Sequence, residues 1–204
     1  MDQGPEVSRS GIRYWVDRGA SFSGHERNRL FLQSEGPDGI SYADRSLVSG
    51  ADAVGDGRAF AKLDWDKDGD IDMVLTNANA PRVQLFENQV GSGDGGALWV
   101  DLHGSAKQGD LSGSNRDAIG ARVVLRTQSG DRHAEKRAGE GFAAQNTGWL
   151  HFGLGALASA EGLSVYWPSG KQSDVEGPLR AGSRIRIYED SSDSPTRSSL
   201  ELIP

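Results

Sequence analysis

Cysteine is absent from all 204 residues. That excludes a disulfide framework, a thiolate metal site and a cysteine nucleophile, while leaving the compartment open. Long apolar runs are absent as well, none approaching the ~20 residues a membrane helix needs. The opening "MDQGPEVSRS" lacks the charged-then-apolar pattern of a secretory leader, so the chain is either cytoplasmic or has lost its leader. Helical periodicity is scarce, with only a trace in "ALASAEG". A basic excess is missing too: 22 Lys and Arg stand against 29 Asp and Glu, a net charge of −7. Nucleic acid is therefore not expected as the main partner.

What the chain does contain is 28 Gly and five Trp, with only 36% hydrophobic residues. This composition predicts a turn-rich all-β protein. A polar start over 1–20 carries one aromatic patch, "IRYWV", read as an edge strand. "RNRLFLQ" (27–33) and "ISYADRS" are separated by the turn residues "SEGPDG", which predicts a hairpin. "RAFAKLDWD" (58–66), "IDMVLTNA" (71–78) and "VQLFENQ" (83–89) continue the strand–turn–strand rhythm. "RNRLFLQ" and "RVQLFENQ" form a weak repeat at the ~55-residue spacing of propeller blades, enough for one and a half blades. "GSGDGG" (91–96) reads as a linker. Further strands are expected at 98–104, 121–127, 132–139, 149–155, 163–170 and 184–190, and "TQSGDR" marks a hairpin. The Ser-rich tail from 189 to 204 reads as disordered.

The strongest chemical signal is "DWDKDGDID" (64–72), with Asp64, Asp66, Asp68, Asp70 and Asp72 on alternate positions. Carboxylates this close repel unless a cation sits among them. Their spacing can wrap one hard ion with oxygen, Asp70 contributing its carbonyl and Gly69 permitting the turn. Ca2+ fits best, since it accepts 6–8 oxygens in flexible geometry. An EF-hand is excluded because its twelfth position, a bidentate Glu, is Leu75 here. The competing readings are a solvated acidic turn and a glycosidase-like carboxylate pair, though such pairs come from opposing strands.

Other candidates read as structural. His151 sits between apolar residues, and His25, His103 and His133 share no ligand spacing with it, which disfavours zinc. Asn115, Arg116 and Asp117 could bind an anion, or cap a turn, which we favour. Trp149, Tyr166 and Trp167 could form a stacking face for a ligand, but core packing is the simpler role. Ser169 has no paired base, and no catalytic triad can be assembled.

Two family resemblances rest on longer stretches. "GRAFAKLDWDKDGDIDMVLTNANAPRVQLFENQ" (57–89) resembles an FG-GAP repeat, the calcium-loop blade of integrin-type propellers. "SNRDAIGARVVL" (114–125), "RAGEGFAAQNTGWLHFGLG" (137–155) and "VYWPSGK" (165–171), in that order, resemble the ASPIC/UnbV domain. The pairing is similar to that of bacterial relatives of cartilage acidic protein. It implies an extracytoplasmic setting and structural calcium loops, carries over no catalytic residue, and points toward enediyne-type secondary metabolism.

The expected architecture is a partial β-propeller-like FG-GAP unit packed with a C-terminal β-sandwich-like ASPIC/UnbV domain. Its segments are an N-terminal stretch at 1–20, a calcium-binding region at 21–90, a linker at 91–97, the ASPIC/UnbV domain at 98–188 and a tail at 189–204. The expected function is a calcium-stabilised, non-catalytic interaction module, periplasmic or secreted, whose partner is another protein or a surface glycan. The alternatives are an accessory protein or enzyme of secondary metabolism, and a subunit docking onto a larger membrane or redox complex.

Overall fold

The computed structural model describes residues 24–36, 39–89, 96–107, 112–190 and 199–203, together with 11, 14, 15, 18, 20 and 21. Strand accounts for 48% of the described residues and helix for 4%, so the fold is all-β. The chain divides into two compact units: residues 1–62, 72–87 and 141–144 form the first, and 63–71, 88–140 and 145–204 the second.

In the first unit, β1 (Phe31–Gly36) and β2 (Gly39–Asp44) form the antiparallel hairpin that the turn residues predict. One helical turn, Ser46–Ser49, follows. The carboxylate of Asp44 starts it, accepting the backbone N–H of Ser46 at 2.9 Å and its hydroxyl at 2.5 Å. A three-stranded sheet runs in the order β3 (Gly57–Leu63), β4 (Asp72–Asn77), β5 (Val83–Phe86). Of "IRYWV", expected as an edge strand, only residues 14 and 15 are among the described residues, and they are not extended. Tyr14 and Trp15 are helical, and the carbonyl of Trp15 accepts the N–H groups of Arg18 and Ala20. The Arg18 guanidinium lies 4.1 Å from the Tyr14 ring centroid, which favours this local turn over an extended strand.

The second unit is built on two four-stranded sheets. One runs β11 (Gln172–Arg180), β10 (Ser159–Tyr166), β7 (Arg122–Arg126), β8 (Arg132–Glu135). The other runs β13 (Ser199–Ile203), β12 (Arg184–Tyr188), β6 (Gly96–His103), β9 (Leu150–Gly155). Alternation places Leu98, Val100 and Leu102 of β6, and Ile185 and Ile187 of β12, on one face. These pack in a single core with Val123, Leu125, Leu163 and Val165 from the other sheet, a sandwich arrangement. β12 pairs with β6 in parallel, unlike the other registered pairs of the two sheets.

Three sequence expectations need correction here. β11 was not anticipated, the residues between 170 and 184 being left without a strand; its Pro178 is tolerated on a sheet edge, and Val175 and Leu179 turn inward. "ALASAEG" is no helix but a turn leading into β10, paired from Ser159 with β11. The tail read as disordered includes β13, which pairs along all of β12, and it begins at the buried Glu189. Residues 91–95 of the expected linker and 191–198 of the tail lie outside the described residues.

Candidate metal centre

The acidic loop leaves β3 and enters β4, so strands flank it on both sides. Its curl is made locally. The carboxylate of Asp66 accepts the N–H of Asp68 at 3.2 Å, and that of Asp68 accepts the N–H of Asp70 at 2.9 Å. Lys67 and Gly69 adopt left-handed backbone, with φ of 67° and 102°. At Gly69 that conformation comes without the strain a side chain would add.

Within the loop, one carboxylate oxygen from each of Asp64, Asp66 and Asp72 lies within 4.8 Å of the other two. Asp68 and Asp70 are not part of this group; one oxygen of Asp68 accepts the N–H of Asp70. Thus three of the five expected ligands converge as side chains. The side chain of Asp64 is only 3% exposed. Its Oδ2 accepts a hydrogen bond from Nη2 of Arg184, and its Oδ1 is buried with no hydrogen-bond partner. A buried carboxylate oxygen without a donor is costly. An all-oxygen donor set with one such atom fits a hard divalent cation, with Asp64, Asp66 and Asp72 as the residues that would hold it. When bound, that ion would supply the positive charge the loop lacks.

His151, set aside by sequence as structural, touches the same loop. Its Nε2 lies 3.1 Å from the carbonyl oxygen of Gly69, and since a carbonyl only accepts, Nε2 carries the proton. Its ring meets Trp99 edge-on, centroids 4.6 Å apart. Asn115 forms the expected turn, its side chain accepting the N–H of Ile119 and donating to that residue's carbonyl, both at 2.9 Å. Arg116 pairs with its neighbour Asp117 on the exposed surface. Trp167 is buried, its Nε1 donating to Ser173 Oγ at 2.9 Å, whereas Tyr166 is exposed.

Two further charged centres escaped the sequence. Glu189 is 5% exposed and gathers three distant segments. It accepts the N–H and hydroxyl of Ser105 at 2.8 and 2.7 Å, those of Ser114 at 2.7 and 2.9 Å, and the hydroxyl of Ser169. Burial pushes its pKa up, but these donors, Ser169 and Ser105 foremost, outweigh that and bring it down to about 2. Gly104 lets the segments meet, since a Cβ there would stand 2.1 Å from the Asn115 carbonyl oxygen. Asp101 receives Arg186 Nε at 2.9 Å, Lys136 Nζ at 3.2 Å and His103 Nε2 at 2.9 Å. Burial raises its pKa, and Arg186, His103 and Lys136 together hold it below the ordinary value. Serines scattered through turns give no periodic signal, and only the fold reveals their shared acceptor.

A groove of about 530 Å3 lies beside β7, β8 and β10, lined by Arg122, Val124, His133, Glu135, Arg137 and Tyr166 among others. Asn115, Arg116 and His151 do not line it. No helix among the described residues is long and apolar enough to cross a membrane.

Ser114 and Ser169, joined through Glu189, belong to two of the motifs on which the ASPIC/UnbV resemblance rests. Residues 111–194 match the family model described as ASPIC and UnbV. The matched stretch therefore contains β7 to β12 and Glu189 with Ser114 and Ser169, while Ser105 and the acidic loop lie upstream of it. Cartilage acidic protein 1 of Xenopus tropicalis is 28% identical to the chain over 185 residues, covering 87% of the chain. The chain spans 27% of that relative's length.

Proposed function

We propose that the chain is a calcium-stabilised, non-catalytic interaction module that works outside the cytoplasm. One observation carries the reading: the buried, unpartnered Oδ1 of Asp64, in a loop that brings Asp66 and Asp72 within 4.8 Å. The resemblance of residues 57–89 to an FG-GAP repeat supports the same ion, and the similarity to a protein named for cartilage supports the extracellular setting. The Ca2+ would neutralise the aspartate cluster and pin the loop, leaving recognition of a protein or surface glycan to another face.

Calorimetric titration of the chelator-stripped protein with Ca2+, alongside thermal melts with and without the ion, tests this. Binding and a raised melting temperature are expected; at a free Ca2+ concentration 100 times Kd the gain is about 2.7 kcal/mol. A melt indifferent to Ca2+ and a flat titration would sink the reading.

A second reading, docking onto a larger assembly, is favoured by the exposed apolar side chains of the first unit. Ile40, Tyr42, Leu47 and Val48 are each at least 64% exposed. Native mass measurement of the protein purified from its source discriminates, since a clean monomer counts against it.

A further inference from the structure

The second unit holds the acidic loop at two points, and both belong to one row across a sheet. In the parallel pairing of β12 with β6, Arg184 stands opposite Trp99; in the antiparallel pairing of β6 with β9, Trp99 stands opposite His151. The middle member is 2% exposed, and the Arg184 guanidinium lies 5.4 Å from its ring centroid. The two outer members reach the loop, Arg184 at Asp64 Oδ2 and His151 at the Gly69 carbonyl. Strand register therefore fixes where both grips fall.

We propose that Arg184 is a positioning residue for the cation site, a role that rests on the metal reading above. The guanidinium takes one oxygen of Asp64 and the Trp99 ring limits where that guanidinium can sit. The carboxylate is then held with its other oxygen, Oδ1, free for the ion. Both oxygens are accounted for: one bonds the sheet, the other is the unpartnered atom that a cation would satisfy. Partners of this kind, which touch a ligating carboxylate and not the metal, commonly change affinity 10- to 100-fold when removed.

The proposal opposes the simplest electrostatic expectation. A guanidinium near a divalent cation repels it, so charge alone predicts that removing Arg184 tightens binding. Positioning predicts the reverse. The sign of the change decides between them.

The test uses Tb3+ as a luminescent probe, sensitised by Trp65 within the loop, with Ca2+ as the competitor. Arg184→Met should weaken Ca2+ roughly 10- to 100-fold. Arg184→Lys, which keeps the charge and a donor, should lie between wild type and Arg184→Met. The rise in melting temperature on adding Ca2+ should shrink in Arg184→Met, whereas a merely structural arginine would lower the melt equally with and without the ion. Unchanged or tighter binding by Arg184→Met overturns the proposal, as does weaker binding by Arg184→Lys than by Arg184→Met. A wild-type chain that binds neither ion sinks the metal reading and this inference with it. Binding by wild type with no loss in Arg184→Met sinks this inference alone.

Discussion

The two units of the chain are buried by opposite means. In the second, an apolar core runs from Leu98 to Ile187, and Leu125, Leu163 and Val165 are wholly inaccessible. In the first, the buried side chains among the described residues are Ser46, Asp56, Asp72, Asn77 and Asn79, all polar. Many of its large apolar side chains, among them Phe31, Leu32, Ile40, Tyr42, Leu47, Val48, Phe60 and Val83, stay exposed. Stability proportional to buried apolar area is thus available to one unit and scarce in the other. Directional bonds must carry more of the burden in the first: Asp56 accepts Ser21 Oγ at 2.5 Å, and Asn77 Nδ2 donates to Pro81 and Gln84 at 2.7 and 2.8 Å. Polar pinning of this kind is sensitive to ions and pH in a way that an apolar core is not.

The largest effect expected comes from the core. Leu163→Ala should cost about 2–5 kcal/mol through lost burial and the cavity left behind, read by chemical denaturation. A cost under about 0.5 kcal/mol would show that the sandwich is not the stable half. Next, Asp64→Asn should abolish the Ca2+-dependent rise in melting temperature, because it removes the charge that the ion neutralises. An undiminished rise would place the ion elsewhere.

Glu189→Gln should cost about 1.5–3 kcal/mol, the worth of hydrogen bonds to a charged acceptor, measured by the same denaturation. It also carries a pH signature. The folded pKa of about 2 lies below the ordinary 4.5, so the contribution of Glu189 is complete above the ordinary value. It fades as pH falls from there toward 2, and Glu189→Gln should remove that part of the acid dependence. Equal acid sensitivity in both proteins would contradict the role. The smallest effect belongs to the first unit: Leu47→Ala, at a side chain 82% exposed, should change stability by less than about 0.5 kcal/mol. A larger loss would mean that a partner or a second copy covers it in solution.

How much was legible follows from range. Alternation in "LWVDLHG" and "RIRIYED", and turn residues between short apolar runs, are local signals, and strands formed there as β6 and β12. The aspartate spacing is local too, and the loop does lie between strands. What could not be read is pairing across the chain. Nothing in "RIRIYED" says that Arg184 meets Asp64, 120 residues earlier, or that Glu189 gathers Ser105, Ser114 and Ser169. Asp68 stands outside the Asp64, Asp66 and Asp72 group, a separation that even spacing along the chain does not reveal.

The parallel pairing of β12 with β6 has a consequence in time. β12 lies inside its sheet, between β13 and β6, yet follows β6 to β11 in the chain. It brings Ile185 and Ile187 for the core and Arg184 for Asp64, with Glu189 immediately after it. Synthesis up to β11 therefore yields a nascent chain whose acidic loop and serine turns await their anchors. Because such distant contacts pay loop-closure entropy before they return anything, closure of this sheet is expected to be slow.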